Sequence, residues 1–507
     1  MERRIFEGVR REHHPYSNFD VSFEHKFSGN IGQLLPIFKQ PVLPGDIFNT
    51  SGEIMTRFAP MLAPVMHRVN QFIHFFFVPY RLIWNEWELF ITGGDDGNQN
   101  PTMPKMTGTA GSSYRKGDVA DYFGVPPINS GNPTTPYDML TQLDFRAYHF
   151  IWSEYYRDEQ LQTEFDPNAA NTDQTLTTIR LRSWEKDYFT SCLPAAQKGS
   201  DITAALTLSE NITYLTAATT VAPTATGDIR SDGNNIEDSS LNNMGIENIS
   251  SLGLSGTVSI NDLRLASEIQ RFWERRNTGG SRYTEFILSE YGVKTSDARL
   301  NRPEYIGGGR TPILISETLS TAAESTGVPQ GNMAGHGVGV GEGMGFSYRA
   351  EEYGVIIGMY SCLPRTAYQE GISRHMTKDD RFDFGLPAFA NIGEQAVLNR
   401  ELYFDPTTSG DNPDDEFGYQ MKYAEYRYNP SLVSGDFRDD LDYWTWSRIF
   451  SAEPSLNEDF IQCDFDDEDL ARIFSSEESA THKLWCQAYF NVRVKRALPY
   501  FPDYTLQ

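Results

Sequence analysis

YGVIIGMYSCL (Tyr353–Leu363) carries the clearest strand signal in the chain. Apart from one serine and two glycines it is apolar or aromatic without a break, which predicts a strand buried on both faces. Near the C-terminus, Ala488–Val494 alternates strictly: Ala488, Phe490, Val492 and Val494 on one side, Tyr489, Asn491 and Arg493 on the other. Towards the N-terminus, VNQFIHFFFVPY (Val69–Tyr80) is β-favouring and aromatic, ended by Pro79. Phe417–Tyr428 has the same character. Helical periodicity falls only in the connections. Trp84–Ile91 is a short helix, and Tyr137–Leu161 is a clear one with Leu140, Leu143, Ala147, Ile151 and Tyr155 as its apolar stripe. Asp436–Phe450 and Asp467–Phe474 are short helices or turns. Strands at both ends with helices between them fit a β-sandwich with swollen loops, such as a jelly roll, better than a βαβ fold.

The longest connection carries the most specific string, NDLRLASEIQRFWERRNTGGSRYTEFILSEYGVKTSDARLNRPEYIGGGRTPI (Asn261–Ile313). It opens with an amphipathic helix in which Leu265, Ala266, Ile269, Phe272 and Trp273 share a face. Arg264, Glu268, Arg271 and Arg275 take the opposite face, with Glu268 one turn from arginines on either side. Gly279–Gly280 stops the helix, a short aromatic segment follows, and Gly307–Gly309 with Pro312 reads as a turn. Elsewhere Pro36, Pro41, Pro44 and Pro60 punctuate the first sixty residues, suggesting an extended arm with short strand pieces such as Val21–Phe27. Gly94–Pro136 is a long loop, and the glycines of Gly335–Gly345 suggest a flexible element. Gly199–Gly256 is rich in Thr, Ala, Asn, Ser and Gly and poor in aromatics. It is unable to build its own core and is expected to project into solvent or lie on a neighbour.

A chain of 507 residues exceeds the usual single-core limit, so several domains or one core with long excursions are expected. With 26 Tyr, 32 Phe and 8 Trp it has material for a large core and for contacts with other chains. A formal charge of −26 argues against a surface that wraps nucleic acid as a whole, while leaving room for local basic spots. The clearest are Arg3, Arg4, Arg10 and Arg11 on the N-terminal arm, and Arg493, Lys495 and Arg496 on or just after the last strand. Two readings of these groups stand side by side: ion pairs with acidic loops, or contact with DNA phosphates or a neighbouring subunit. Cys192, Cys362, Cys463 and Cys486 lie far apart with no C-x-x-C pair, which suits folding in a reducing cytoplasm. The N-terminus has no apolar signal core, and the apolar runs near Phe72–Val78 and Val355–Leu363 are too short to span a bilayer, so no membrane association is expected.

No motif for chemistry stands out. GGGRTP (Gly307–Pro312) and Gly335–Gly345 match neither phosphate-loop pattern. His13 and His14 are adjacent, His67 and His74 fall on opposite faces of any strand, and no H-E-x-x-H occurs. The acidic run Asp464–Asp469 lacks calcium-loop spacing and reads as a solvated helix start. No enzyme, cofactor or metal is expected.

The long connection resembles the major capsid proteins of the microviruses, small icosahedral phages with single-stranded DNA. The likeness continues in Val65–Trp87, Phe145–Asp158, Asp187–Gly199, Glu352–Pro364, Tyr368–Arg374, Asn391–Tyr403, Phe417–Phe437 and Tyr489–Arg493, in order over most of the chain. Gly94–Pro136, Gly199–Gly256 and Asp405–Glu416 depart from it, as variable surface loops do. The resemblance implies one eight-stranded antiparallel jelly roll per subunit, its core drawn from about residues 20–80 and 343–500. It also implies a T=1 shell of sixty copies around a circular single-stranded DNA genome, built in the bacterial cytoplasm. Implied partners are the chain itself, the genome, a small basic DNA-binding protein, a DNA pilot protein and a host receptor. In the gokushovirus branch, an insertion after the DYFTS-type block forms a protrusion at the three-fold axes. Residues 199–256 occupy that place, making Asn211, Tyr214, Asn234 and Asn242 candidate host-facing residues. The rival reading is a β-sandwich, carbohydrate-binding phage appendage.

Overall fold

The computed structural model describes residues 15–107, 114–127, 139–199, 260–319, 333–405, 412–466, 469–475 and 481–501, with the strand pieces 207–208, 229–231, 236–238 and 256–257. Among these residues, nine strands form one antiparallel sheet bent into two layers. They are β1 (Ser17–Asp20), β2 (Phe23–Gly29), β3 (Leu35–Val42), β4 (Ile47–Phe58), β5 (Val69–Pro79), β6 (Glu304–Leu319), β7 (Met333–Arg349), β8 (Gly354–Pro364) and β9 (Leu484–Arg496). In the first layer β1 and β2 both pair with β9, which pairs with β4, which pairs with β7. In the second the order is β3, β8, β5, β6. The β6–β7 hairpin joins the layers: Glu304–Ile313 pairs with β5, while Leu314–Leu319 turns to pair with Met333–Val338. The fold is a jelly-roll β-sandwich.

Between the layers the expected aromatic core is present. Phe38 on β3, Phe75 on β5, Phe346 on β7 and Phe490 on β9 meet with ring centroids 5.1 Å apart for Phe38–Phe490 and 4.9 Å for Phe75–Phe346. One polar chain crosses this interior. Thr56 donates to Gln71 at 2.7 Å, Gln71 donates to Thr311 at 2.8 Å, and the Tyr360 hydroxyl lies 3.0 Å from Thr56. Each group is partnered, so burial carries no desolvation penalty for an unmade bond. Outside the second layer lies helix α1 (Leu143–Tyr155). Its Ala147, Tyr148, Ile151 and Trp152 cluster with Phe76 and Val78 of β5 and Val355 and Ile357 of β8. β8 is therefore buried along its whole length, as its unbroken apolar sequence predicts.

Several readings are corrected. Of the first sixty residues, those described from 15 onward form no arm, because β3 and β4 are core strands. Pro36 and Pro41 sit on β3 at the edge of its layer, where a missing N–H is tolerated. Gly307–Gly309 is no turn and Gly335–Gly345 no flexible element; they lie within β6 and β7. Here the glycines mark close approach: a Cβ on Gly337 would sit 2.2 Å from the Phe58 ring, and one on Gly345 2.1 Å from the Thr50 carbonyl oxygen. Among the described residues, the helix expected over Tyr137–Leu161 covers only α1. The strand in Phe417–Tyr428 covers only Glu416–Met421, pairing with Glu394–Leu398 before a 3₁₀ turn.

The chain divides into two compact units, residues 1–196 with 278–507, and residues 197–277. The second holds two short strand pairs, Thr207–Leu208 with Gly256–Thr257 and Ile229–Ser231 with Ile236–Asp238. It also holds most of the expected amphipathic helix, α2 (Ile260–Gly279). Leu265 and Ile269 of its apolar stripe are exposed. The aromatic segment beyond Gly280 is itself helical, α3 (Tyr283–Tyr291).

Two histidines make the fold sensitive to acid. His149 is fully buried, accepts from Arg180 at Nδ1 (3.0 Å) and so donates through Nε2 to the Leu176 carbonyl (3.1 Å). Burial, with Arg180 nearby, pushes its pKa down to about 3, and burial with Arg182 pushes His74 to about 4. Both are neutral in the folded chain, whereas the unfolded chain binds protons from about pH 6.5 downward. Folding stability is therefore expected to fall by several kcal/mol between about pH 6.5 and 4. Denaturant titrations across that range check this, and a flat profile would contradict it.

Candidate nucleic-acid and assembly surfaces

The alternation of β9 turns Trp485, Gln487, Tyr489, Arg493 and Lys495 to the outside of the first layer, with Trp485 50% and Tyr489 40% exposed. β4 adds Asn49, Ser51, Glu53 and Arg57 to the same side. Arg493 stands opposite Asn49 on one flank and Asp20 on the other. Asp20 is held below the usual carboxyl range chiefly by hydrogen bonds from Ser22, with Arg493 a lesser influence. The Lys495 ammonium lies 5.8 Å from the Tyr16 ring centre. Arg496 is different. It follows the inward phase of the strand, pairs through Nε with the buried Asp46 carboxylate at 2.8 Å, and donates to the Pro41 carbonyl at 2.6 Å. The structure thus sets Arg493 and Lys495 together on an open face and engages Arg496 within its own chain.

Arg3, Arg4, Arg10 and Arg11 lie outside the described residues, as do Asn211, Tyr214, Asn234 and Asn242. Arg57, Lys26 and Trp485 were missed by sequence reasoning. Arg57 and Lys26 fall in the stretch read as an arm, and Trp485 precedes the segment whose alternation is strict. Extending the period-two pattern of β9 back to Leu484 would have found the tryptophan.

Two cavities are lined by polar and aromatic side chains. One of about 310 Å³ is lined by Tyr188, Arg374, Glu401 and Glu425 among others. Arg374 pairs with Glu401 at 2.9 Å, Tyr188 donates to Glu401 at 3.0 Å, and Lys378 pairs with Glu425 at 3.3 Å. Burial raises the Glu401 carboxyl while Arg374 opposes that shift. A second, of about 300 Å³, is lined by His74, Tyr155, Tyr156, Arg182 and Trp184. Among the described residues no group of His, Cys, Asp and Glu is placed to hold a metal, and no helix is long and apolar enough to cross a membrane.

Large apolar side chains remain exposed on the first unit, including Leu314 (74%), Met376 (83%) and Leu432 (69%).

Comparison with known proteins identifies the family. Residues 8–506 match the family described as capsid protein (F protein). The chain is 30% identical to capsid protein VP1 of Chlamydia phage 1, covering 96% of this chain and 94% of that one. It is 32% identical to capsid protein VP1 of Bdellovibrio phage phiMH2K over 90% of each. With capsid protein VP1 of Spiroplasma virus 4 it shares 28% identity over 90% of this chain and 89% of the other. A match over nearly the whole length, on a two-layered jelly roll with uncovered apolar surface, places this chain in the microvirus capsid protein (F protein) family.

Proposed function

We propose that sixty copies of the chain close into a T=1 icosahedral shell around a circular single-stranded DNA genome. The observation that carries this is the family match across residues 8–506, since capsid subunits of one family assemble into shells. Two features support it. The sandwich has edge strands and exposed apolar side chains that identical neighbours would cover in a closed symmetric assembly. Leu265 and Ile269 on the stripe of α2 are exposed and give a further surface for such contacts. The subunit is non-enzymatic in this reading.

A net charge of −26 leaves the genome's phosphates unneutralised by the shell as a whole. A separate small basic protein, or polyamines and cations, supplies the balance, and a DNA pilot protein accompanies the genome. Arg3, Arg4, Arg10 and Arg11 of the N-terminal segment, with Arg493, Lys495 and Arg496, are assigned to the inner side. Residues 199–256, including Asn211, Tyr214, Asn234 and Asn242, are assigned to the outer side as the host-contacting element.

Electron micrographs and sedimentation of the purified protein test the assembly: shells or capsomers are expected. Small discrete species that bind glycans without assembling would favour the appendage reading instead. Removing residues 200–255 is expected to leave particle formation intact and to reduce attachment to host cells by an order of magnitude or more. Loss of assembly-competent protein in that variant would assign the segment a structural role.

A further inference from the structure

We propose that Trp485 and Arg57 form a docking platform for single-stranded nucleic acid, a base lying on the indole and the neighbouring phosphate on the guanidinium. The inference rests on the reading that the shell encloses single-stranded DNA, and it names where on the subunit that strand is held.

Trp485 and Arg57 are direct partners in the β9–β4 register, both facing outward from the first layer. The indole N–H donates to the His482 carbonyl at 3.2 Å, which fixes the ring while half of the residue stays exposed. A ring already held in place loses little freedom when a base settles on it. The side chain of Arg57 is exposed and has no hydrogen-bond or ion-pair partner among the described residues. In a chain with 69 acidic against 43 basic residues, an uncommitted guanidinium beside an exposed tryptophan gives local charge complementarity to a polyanion.

The surroundings agree. A shallow groove of about 540 Å³ is lined by Lys26, Ser28, Met55, Arg57, Trp485 and Gln487. Lys26 lies 3.6 Å from Glu24, but both are well exposed, and such a pair yields readily to a stronger anion. Gln487 and Ser28 bring polar groups within reach of a base edge. Further along β9, Tyr489 is flanked by Glu24 and Glu53, which repel phosphates there and set this platform apart from Arg493 and Lys495. Stacking on an open ring requires an unpaired base face, so the surface selects single strands over duplex.

The test uses the full-length chain and short fluorescein-labelled oligo(dT), read by anisotropy over a range of salt. Trp485→Ala is expected to weaken binding about ten-fold, while Trp485→Phe keeps most of it. Arg57→Gln is expected to weaken binding and to flatten the slope of log affinity against log salt by about 0.7. Sedimentation of each variant shows whether assembly is retained, since both side chains project from the sheet. Parent-like binding by both Trp485→Ala and Arg57→Gln overturns the platform while leaving the genome-enclosing reading standing. Equal affinity of the parent for a duplex of the same length also overturns it. A parent chain that ignores oligo(dT) even at low salt overturns the platform as well, whereas purified particles that hold no DNA would overturn the genome-enclosing reading.

Discussion

Replacing Phe490 by alanine is expected to lower folding stability by about 3–5 kcal/mol, a large share of what a typical domain has. The ring is fully buried and lies 5.4 Å from Phe23, 5.1 Å from Phe38 and 6.2 Å from Phe75, centre to centre. These partners come from strands of both layers, whose backbones are tied into ladders and cannot close in on the void. Phe490→Leu retains most of the volume and is expected to cost under about 1.5 kcal/mol. Denaturant unfolding of the full-length variants measures the difference. A loss below about 1 kcal/mol for the alanine variant would show that the interior is not organised around this ring cluster.

Gly345→Val is expected to abolish accumulation of folded protein. The added Cβ would fall 2.1 Å from the Thr50 carbonyl oxygen and 3.0 Å from the Ser51 Cα, both backbone atoms of the strand paired with β7. A flexible side chain can swing away from such a clash; a paired backbone has to give up its ladder. Gly343 provides the contrast within the same strand. A Cβ there meets nothing within 4 Å, and only its positive φ of 71° opposes substitution. Gly343→Ala is expected to cost about 1–2 kcal/mol and still yield folded protein. Soluble yield and thermal melting of the two variants decide the matter, and equal behaviour would mean that close approach is not what glycine provides here.

The same glycines show where the sequence misleads. Period-two glycine reads as flexibility when only local propensity is weighed, because nothing local reveals a facing strand. In β7 the inward positions Gly335, Gly337, Gly339 and Gly341 are bare because Ala63, Phe58, Ile313 and Met344 already fill the space. Proline likewise disguised β3, since its position at a layer edge is a fact of topology. By contrast β8, β9 and α2 were legible, because hydrophobic periodicity alone encodes them. On the last strand, Arg493 and Lys495 share the open face, while Arg496 belongs to the opposite phase and answers to Asp46. Arg57 was invisible because its importance arises from Trp485, more than four hundred residues away and brought alongside only by the β4–β9 register.

Cys192, Cys362, Cys463 and Cys486 are all buried and unbridged. Burial pushes the Cys486 thiol up to about 11 and Cys362 well above its ordinary value, so neither offers a reactive thiolate while the sandwich is closed. Alkylation by iodoacetamide then proceeds only as fast as the layers part. Mass spectra taken at intervals from intact shells would record, site by site, how often each region breathes, using chronometers the chain already carries.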